Sequence, residues 1–320
     1  MRALRFHDYR GFDSLSLDEI AVPDPRPGEL LVRVHAAGIN PFDRYAIEGY
    51  VNAFVRFELP ATLGRDFSGA IVAVGEGVGD FAPGDLVFGH AAADADGSFA
   101  DFIRVPAVRV APKPDQLSHV EAASLPNVLM AAWDGLFSTQ TGADLQPGQT
   151  LLVNGAAGGI GSVAVQLARW KGARVIGTAS APNLDLVTAM GASAHDYADN
   201  GWYADVAGLD AVIDTSAGSD ADRLCGLLRA GGVYVAMRGL PSGDFAERWL
   251  ARGVICRVAS GPASENAFGA MADAVAQGAV KPIVTRVYPL ERYRHALEAI
   301  GGGHARGKTV LLIAAEEEAG

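Results

Sequence analysis

The run Asn154-Gly155-Ala156-Ala157-Gly158-Gly159-Ile160-Gly161 constrains this chain more than any other stretch. It follows a short apolar run, residues 151–154, that reads as a strand. It precedes residues 160–171, whose apolar positions recur at helical spacing. Gly172 then supplies a helix stop, and residues 174–178 read as strand again. Strand, glycine turn, helix and strand in this order make a βαβ unit. Set against G-x-G-x-x-G, Ala156 stands in the first glycine place, Gly158 in the second and Gly161 in the third. A bare Gly158 lets a pyrophosphate approach the backbone, Gly161 lets helix and strand pack closely, and the helix N-terminus faces the phosphates. Ala156, Ala157, Gly158, Gly159, Ile160 and Gly161 are therefore candidate dinucleotide contacts. The competing reading is a tight turn whose glycines serve only backbone conformation.

Alternation continues downstream. Residues 211–214 read as strand, 221–229 as helix, 233–237 as strand and 254–259 as a later strand, which predicts a doubly wound parallel sheet. Thr215 and Gly239 follow two of these strands, at the ends where such sheets place their ligand. Up to about residue 105 the pattern differs: short β-like runs such as 29–36 and 69–74 are broken by Gly and Pro turns, so this half reads as mainly β. After about Pro262 come helix-like stretches 265–277 and 291–300 and a closing strand 309–313. The acidic end, Glu316 to Glu318, reads as a solvated tail.

NAD-binding sheets of this kind place Asp or Glu about 20 residues beyond the turn, on the adenosine ribose. Here that position is Ser180. A carboxylate would repel a 2′-phosphate by on the order of 4 kcal/mol per charge pair at about 4 Å, so its replacement favours NADPH. Ser180 and Tyr197 are candidate hydroxyl donors to that phosphate, against an ordinary loop serine and a packing aromatic.

Charge and cysteine content narrow the partners. A net charge of −11 disfavours nucleic acid and anionic membranes, which call for clustered Lys and Arg, and leaves a small molecule as the expected partner. Only Cys225 and Cys256 occur, which rules out a disulfide framework and a four-cysteine structural zinc and suits a reducing compartment. Residues 1–6 carry no basic segment leading into an apolar core, and no apolar run reaches about 18 residues, so a cytoplasmic protein is expected. The seven histidines, His90 and His195 among them, lack metal-ligand spacing and read as surface or packing residues.

Several separated stretches carry a family likeness: residues 36–43 (Ala-Ala-Gly-Ile-Asn-Pro-Phe-Asp), 63–69 (Leu-Gly-Arg-Asp-Phe-Ser-Gly), 84–89 (Gly-Asp-Leu-Val-Phe-Gly) and 303–308 (Gly-His-Ala-Arg-Gly-Lys). With them the chain resembles, almost end to end, the quinone oxidoreductase branch of the medium-chain dehydrogenase/reductase superfamily. The resemblance implies an α/β protein: a mainly β GroES-like domain from residues 1–122 and 263–320, and a Rossmann doubly wound domain, 123–262, inserted between. It further implies an active site in the cleft between them, and a homodimer. In zinc-containing relatives the counterparts of Asn40 and Arg65 are a metal-binding Cys and His. Their loss leaves no plausible set of about three ligands, so hydride transfer without zinc is expected.

By the same resemblance Asn40, Asp43, Tyr45 and Tyr50 line the nicotinamide and substrate pocket. Asn40 would hold the carboxamide or the substrate oxygen, and the tyrosines would stack on a planar acceptor. The alternatives are that Asn40 begins a turn with Pro41, that Asp43 caps a short helix, and that both tyrosines pack. Many relatives have a threonine near this pocket where the chain has Ala131, and Lys308 reads as a solvated lysine or one reaching the cofactor phosphates. The expected reaction is NADPH-dependent reduction of a quinone or enone. Enoyl-thioester reduction and NADPH binding without catalysis stand as alternatives, and the β-rich first half argues against a methyltransferase.

Overall fold

The computed structural model describes residues 1–204, 206–216, 218, 220–259, 267–300 and 306–314. The acidic stretch Glu316 to Glu318, the start of the 265–277 helix and the first half of the 303–308 motif lie outside these residues. The chain divides into two units, one of Met1–Asn127, Glu265–Ala276 and Pro282–Gly320, the other of Val128–Ser264 and Gln277–Lys281.

The second unit is built on six parallel strands: β1 (Thr150–Asn154), β2 (Arg174–Ala179), β3 (Ser193–Asp196), β4 (Leu209–Asp214), β5 (Leu228–Ala236) and β6 (Ile255–Val258). Their order is β3-β2-β1-β4-β5-β6, so the chain reverses direction across the sheet at β1. Central strands buried on both faces read as continuous apolar runs, as Leu151, Leu152 and Val153 do. Tyr234, Phe245, Trp249, Val212 and Leu224 share one core cluster of this unit. The helix expected over 221–229 ends at Cys225, with Gly226 as its cap, because Leu228 already pairs with Leu209 as the start of β5. Sheet pairing has overridden the helical spacing of that stretch.

In the first unit, strand Glu29–Gly38 is the centre of a seven-stranded sheet. Asp66–Val74 and Lys308–Leu312 flank it antiparallel, and Phe102–Pro106 also pairs with it. Val284–Pro289, a strand without a clear sequence signal, lies parallel to Lys308–Leu312. The stretch read as one helix over 291–300 opens as a tight turn, Leu290–Arg292, because Pro289 fixes the entry, and only Tyr293–Ala299 is α-helical. Phe6, Phe67, Phe99, Leu30, Ile71 and Leu311 are buried in this unit's core.

Candidate functional site

Strand register assembles a polar cluster inside the first unit. Asp66 is paired with Gly38 on one side and with His90 on the other. Val310 is paired with Gly38, and antiparallel counting by two more residues sets Lys308 opposite Asn40. The Asp66 side chain is fully buried and receives three hydrogen bonds: His90 Nδ1 at 2.6 Å and the Asn127 backbone N–H at 2.9 Å on Oδ1, and Asn40 Nδ2 at 2.8 Å on Oδ2. Lys308 Nζ donates to the Ile39 carbonyl (2.7 Å) and to Asn40 Oδ1 (2.5 Å), and lies 3.9 Å from Asp66 Oδ2. Asn127 Nδ2 donates to the same Asn40 Oδ1 at 3.2 Å.

These contacts fix both amides. Asn40 must turn its oxygen toward the ammonium and its nitrogen toward the carboxylate, and Asn127 must then turn its nitrogen toward the Asn40 oxygen. Two readings from sequence are corrected here. His90 is a bonded partner of Asp66 rather than a surface or packing residue, and Lys308 is buried against Asn40 rather than solvated or turned to phosphates.

Charge balance follows from burial. Burial works against the Asp66 charge, but the hydrogen bonds from His90 and Asn40 and the Lys308 ammonium outweigh it and hold the carboxyl below its usual range. Burial pushes His90 down, so the neutral ring with Nδ1–H toward Asp66 is the form that fits. Burial also lowers Lys308, against the pull of Asp66 and Asp43.

Asn40 caps the helix Pro41–Ile47, and Asp43, in its first turn, returns Oδ2 to the Asn40 N–H at 2.7 Å. Asp43 Oδ1 is buried without a partner, and burial drives the carboxyl up to about 7; the Asn40 N–H, Lys308 and Arg65 oppose the rise and Asp66 adds to it. Asp43 thus serves its helix and offers no exposed face. Arg65 lies over the Phe42 ring at 4.6 Å and donates to the Ala91 carbonyl. Tyr45 and Tyr50 are, by contrast, exposed (43% and 72%), their rings 6.2 Å apart and tilted edge to face. A planar apolar molecule meets ready-made contact area there.

In the second unit, the turn after β1 leads into the helix Gly159–Trp170, whose cap Gly158 brings no side chain to the first N–H groups. Those donors stay available to an anion at the C-terminal edge of the sheet. Gly161 is obligatory: an added Cβ would stand 2.1 Å from the Gly155 carbonyl oxygen. Gly155, at φ +83°, packs so tightly on Thr215 that a Cβ would lie 2.3 Å from Oγ1. A polar belt crosses the same strand ends: Thr178 Oγ1 donates to Asn154 Oδ1 (2.6 Å), Asn154 Nδ2 to Asp214 Oδ1 (2.9 Å) and Tyr234 OH to Asp214 Oδ2 (2.6 Å). Thr215 donates to the Asn154 carbonyl at 2.8 Å and so holds the turn. Ser180 follows β2 and Tyr197 follows β3, so the two hydroxyl side chains stand at the ends of adjacent strands, while Gly239 lies exposed beyond β5.

Sequence reasoning did not single out Asp66, Asn127, Asn154 or Asp214. A hydrogen bond from the Asn127 backbone, at the start of the helix Pro126–Phe137, joins the first two, and parallel pairing joins the last two; neither leaves a local pattern.

Comparison with known proteins agrees with this architecture. Residues 26–115 match the alcohol dehydrogenase GroES-like domain, and residues 190–311 match the family described as zinc-binding dehydrogenase. Mouse quinone oxidoreductase is 31% identical, with 98% of each chain covered. The mouse mitochondrial NAD(P)H oxidoreductase RTN4IP1 is 30% identical over 90% of this chain and 82% of its own. An alcohol dehydrogenase superfamily protein from Novosphingobium aromaticivorans superposes with a TM-score of 0.88 at 30% identity, covering 98% of this chain and all of that one. The quinone oxidoreductase from Coxiella burnetii gives 0.84 at 28%, covering 98% and 99%. Fold and relatives together define an oxidoreductase with a nicotinamide cofactor. The chain belongs to the medium-chain dehydrogenase/reductase superfamily, in its quinone oxidoreductase-like branch. Among the described residues no helix is long and apolar enough to cross a membrane.

Proposed function

We propose that the chain reduces a quinone, or an enone of similar shape, with NADPH as the hydride donor and without a catalytic metal. The observation that carries this reading is the Lys308 ammonium seated against Asn40 and Asp66. A divalent cation held by Asn40 and Asp66 would meet a positive charge at bonding distance, and neither the Asn40 amide nor the Arg65 guanidinium is a zinc ligand of ordinary strength. The residues do not fit zinc.

They do fit a dinucleotide. The N–H groups of Gly159, Ile160 and Gly161 would hold the pyrophosphate, with Ala156, Ala157 and Gly158 allowing its close approach. Ser180 and Tyr197 would donate to a 2′-phosphate, and Thr215 and Gly239 lie at strand ends suited to the nicotinamide side. When bound, the nicotinamide supplies a hydride, and one proton from water completes the conversion of quinone to hydroquinone. Tyr45 and Tyr50 would hold the planar acceptor, and Asn40 and Asp43 would keep that segment in place. Quinone is favoured as acceptor because the relatives carry that activity in their names and because the exposed aromatic pair suits a flat ring. A cytoplasmic homodimer with a small-molecule substrate completes the proposal.

The test is oxidation of the reduced cofactor at about 340 nm against quinones, short enones and enoyl thioesters, with NADPH and NADH side by side. Turnover on quinones or enones with NADPH preferred is expected. Turnover confined to enoyl thioesters would reassign the acceptor, and tight NADPH binding without turnover on any acceptor would replace catalysis by binding.

A further inference from the structure

We propose that Asn127 is the hydrogen-bond donor to the carbonyl oxygen of the hydride acceptor, held in place by Asp66, Asn40 and Lys308; this rests on the quinone or enone reductase reading above. A carbonyl-conjugated acceptor gains negative charge on oxygen as it takes up hydride, and a preoriented N–H at that oxygen lowers the barrier. The polar cluster contains one side chain able to supply it. Asp66, His90, Asn40, Asp43 and Lys308 are all buried, whereas Asn127 is only partly so. Asn40 spends its oxygen on two donors and one N–H on Asp66.

Asn127 is anchored at two points, its backbone N–H on Asp66 Oδ1 and one Nδ2 hydrogen on Asn40 Oδ1. Among the described residues the Asn127 amide makes one side-chain hydrogen bond, to Asn40 Oδ1, which leaves its second N–H to a ligand. The orientation of this amide is dictated from behind: Lys308 sets the Asn40 oxygen, and that oxygen sets the Asn127 nitrogen. Such an amide meets the charge without reorganising, which is what separates it from a surface asparagine. Asn127 is on this account the catalytic donor, and Lys308, Asp66 and Asn40 are positioning residues.

The experiment uses the full chain with NADPH and a soluble benzoquinone. Asn127→Ala and the isosteric Asn127→Asp are compared with wild type in kcat, in KM for quinone, in NADPH affinity by fluorescence titration and in melting temperature. The expected result is a fall in kcat of roughly 100-fold, the size seen when one oxyanion donor is removed, with NADPH affinity and melting temperature unchanged. Asn127→Asp, which keeps the shape but not the donor, should lose as much. Quinone turnover within twofold of wild type in Asn127→Ala would overturn the assignment, as would a parallel loss of NADPH affinity, which would give the amide to the cofactor. A wild-type enzyme that reduces neither quinones nor enones would overturn the reading beneath it as well.

Discussion

Burying Lys308 and Asp66 beside each other costs both ions their hydration, which hydrogen bonds from His90, Asn127 and Asn40 to Asp66 and from Lys308 to Ile39 and Asn40 offset. Removing one partner exposes that cost. Lys308→Met leaves Asp66 uncompensated and should destabilise the chain by about 3 to 5 kcal/mol, read as a drop in the denaturation midpoint; an unchanged midpoint would place the ammonium elsewhere. Asp43 behaves in the opposite sense to an ordinary paired carboxylate. Its folded pKa is raised to about 7 from 3.8, so the folded chain holds a proton that the unfolded chain releases. Its contribution is fully present below pH ~4 and is lost as pH rises to about 7, up to about 4 kcal/mol in all. Asp43→Asn keeps an acceptor for the Asn40 N–H, so its stability relative to wild type should rise across that window in thermal melts. A constant difference between pH 4 and pH 8 would contradict the protonated state. Of these residues the sequence made Asn40 and Asp43 legible through resemblance, but Lys308 looked like any solvated lysine and His90 like any scattered histidine. Their environment is created by strands more than two hundred residues apart in one case, and no local spacing encodes that.

The glycine turn was the most legible element, because its chemistry is local: a strand end, bare backbone and an open helix start occur in consecutive residues. Gly161→Val would force a side chain against the Gly155 carbonyl, and a cost of about 1 to 3 kcal/mol in stability is expected together with loss of NADPH binding. Wild-type affinity in that variant would remove the turn from the cofactor site. Ser180, at the end of β2, tests cofactor choice: Ser180→Asp should lower the NADPH-to-NADH ratio of kcat/KM by roughly tenfold or more through repulsion of the 2′-phosphate. A ratio that does not move would exclude Ser180 from that contact. Element ends were less legible than elements. The 221–229 stretch has helical spacing, yet its last residues are taken by β5, whose Leu228 pairs with Leu209 of β4, so tertiary pairing overrides local spacing there.

For the molecule as a whole, the parallel sheet of the second unit and the mainly β first unit were both visible in the change of rhythm along the chain, since burial on both faces and burial on one leave different patterns. The assignment of the chain end to the first domain came from family resemblance; what periodicity left hidden is the partner of its closing strand, Lys308–Leu312 pairing with Glu29–Gly38. That pairing matters for the proposed metal-free reaction, because it seats the Lys308 ammonium against Asn40 and Asp66. The decisive measurement is quinone-dependent NADPH oxidation by protein dialysed against a strong chelator, with metal content determined on the same sample and zinc added back in parallel. Full activity at a negligible zinc content, indifferent to added zinc, is predicted. Activity lost with the metal and restored by zinc would contradict the account.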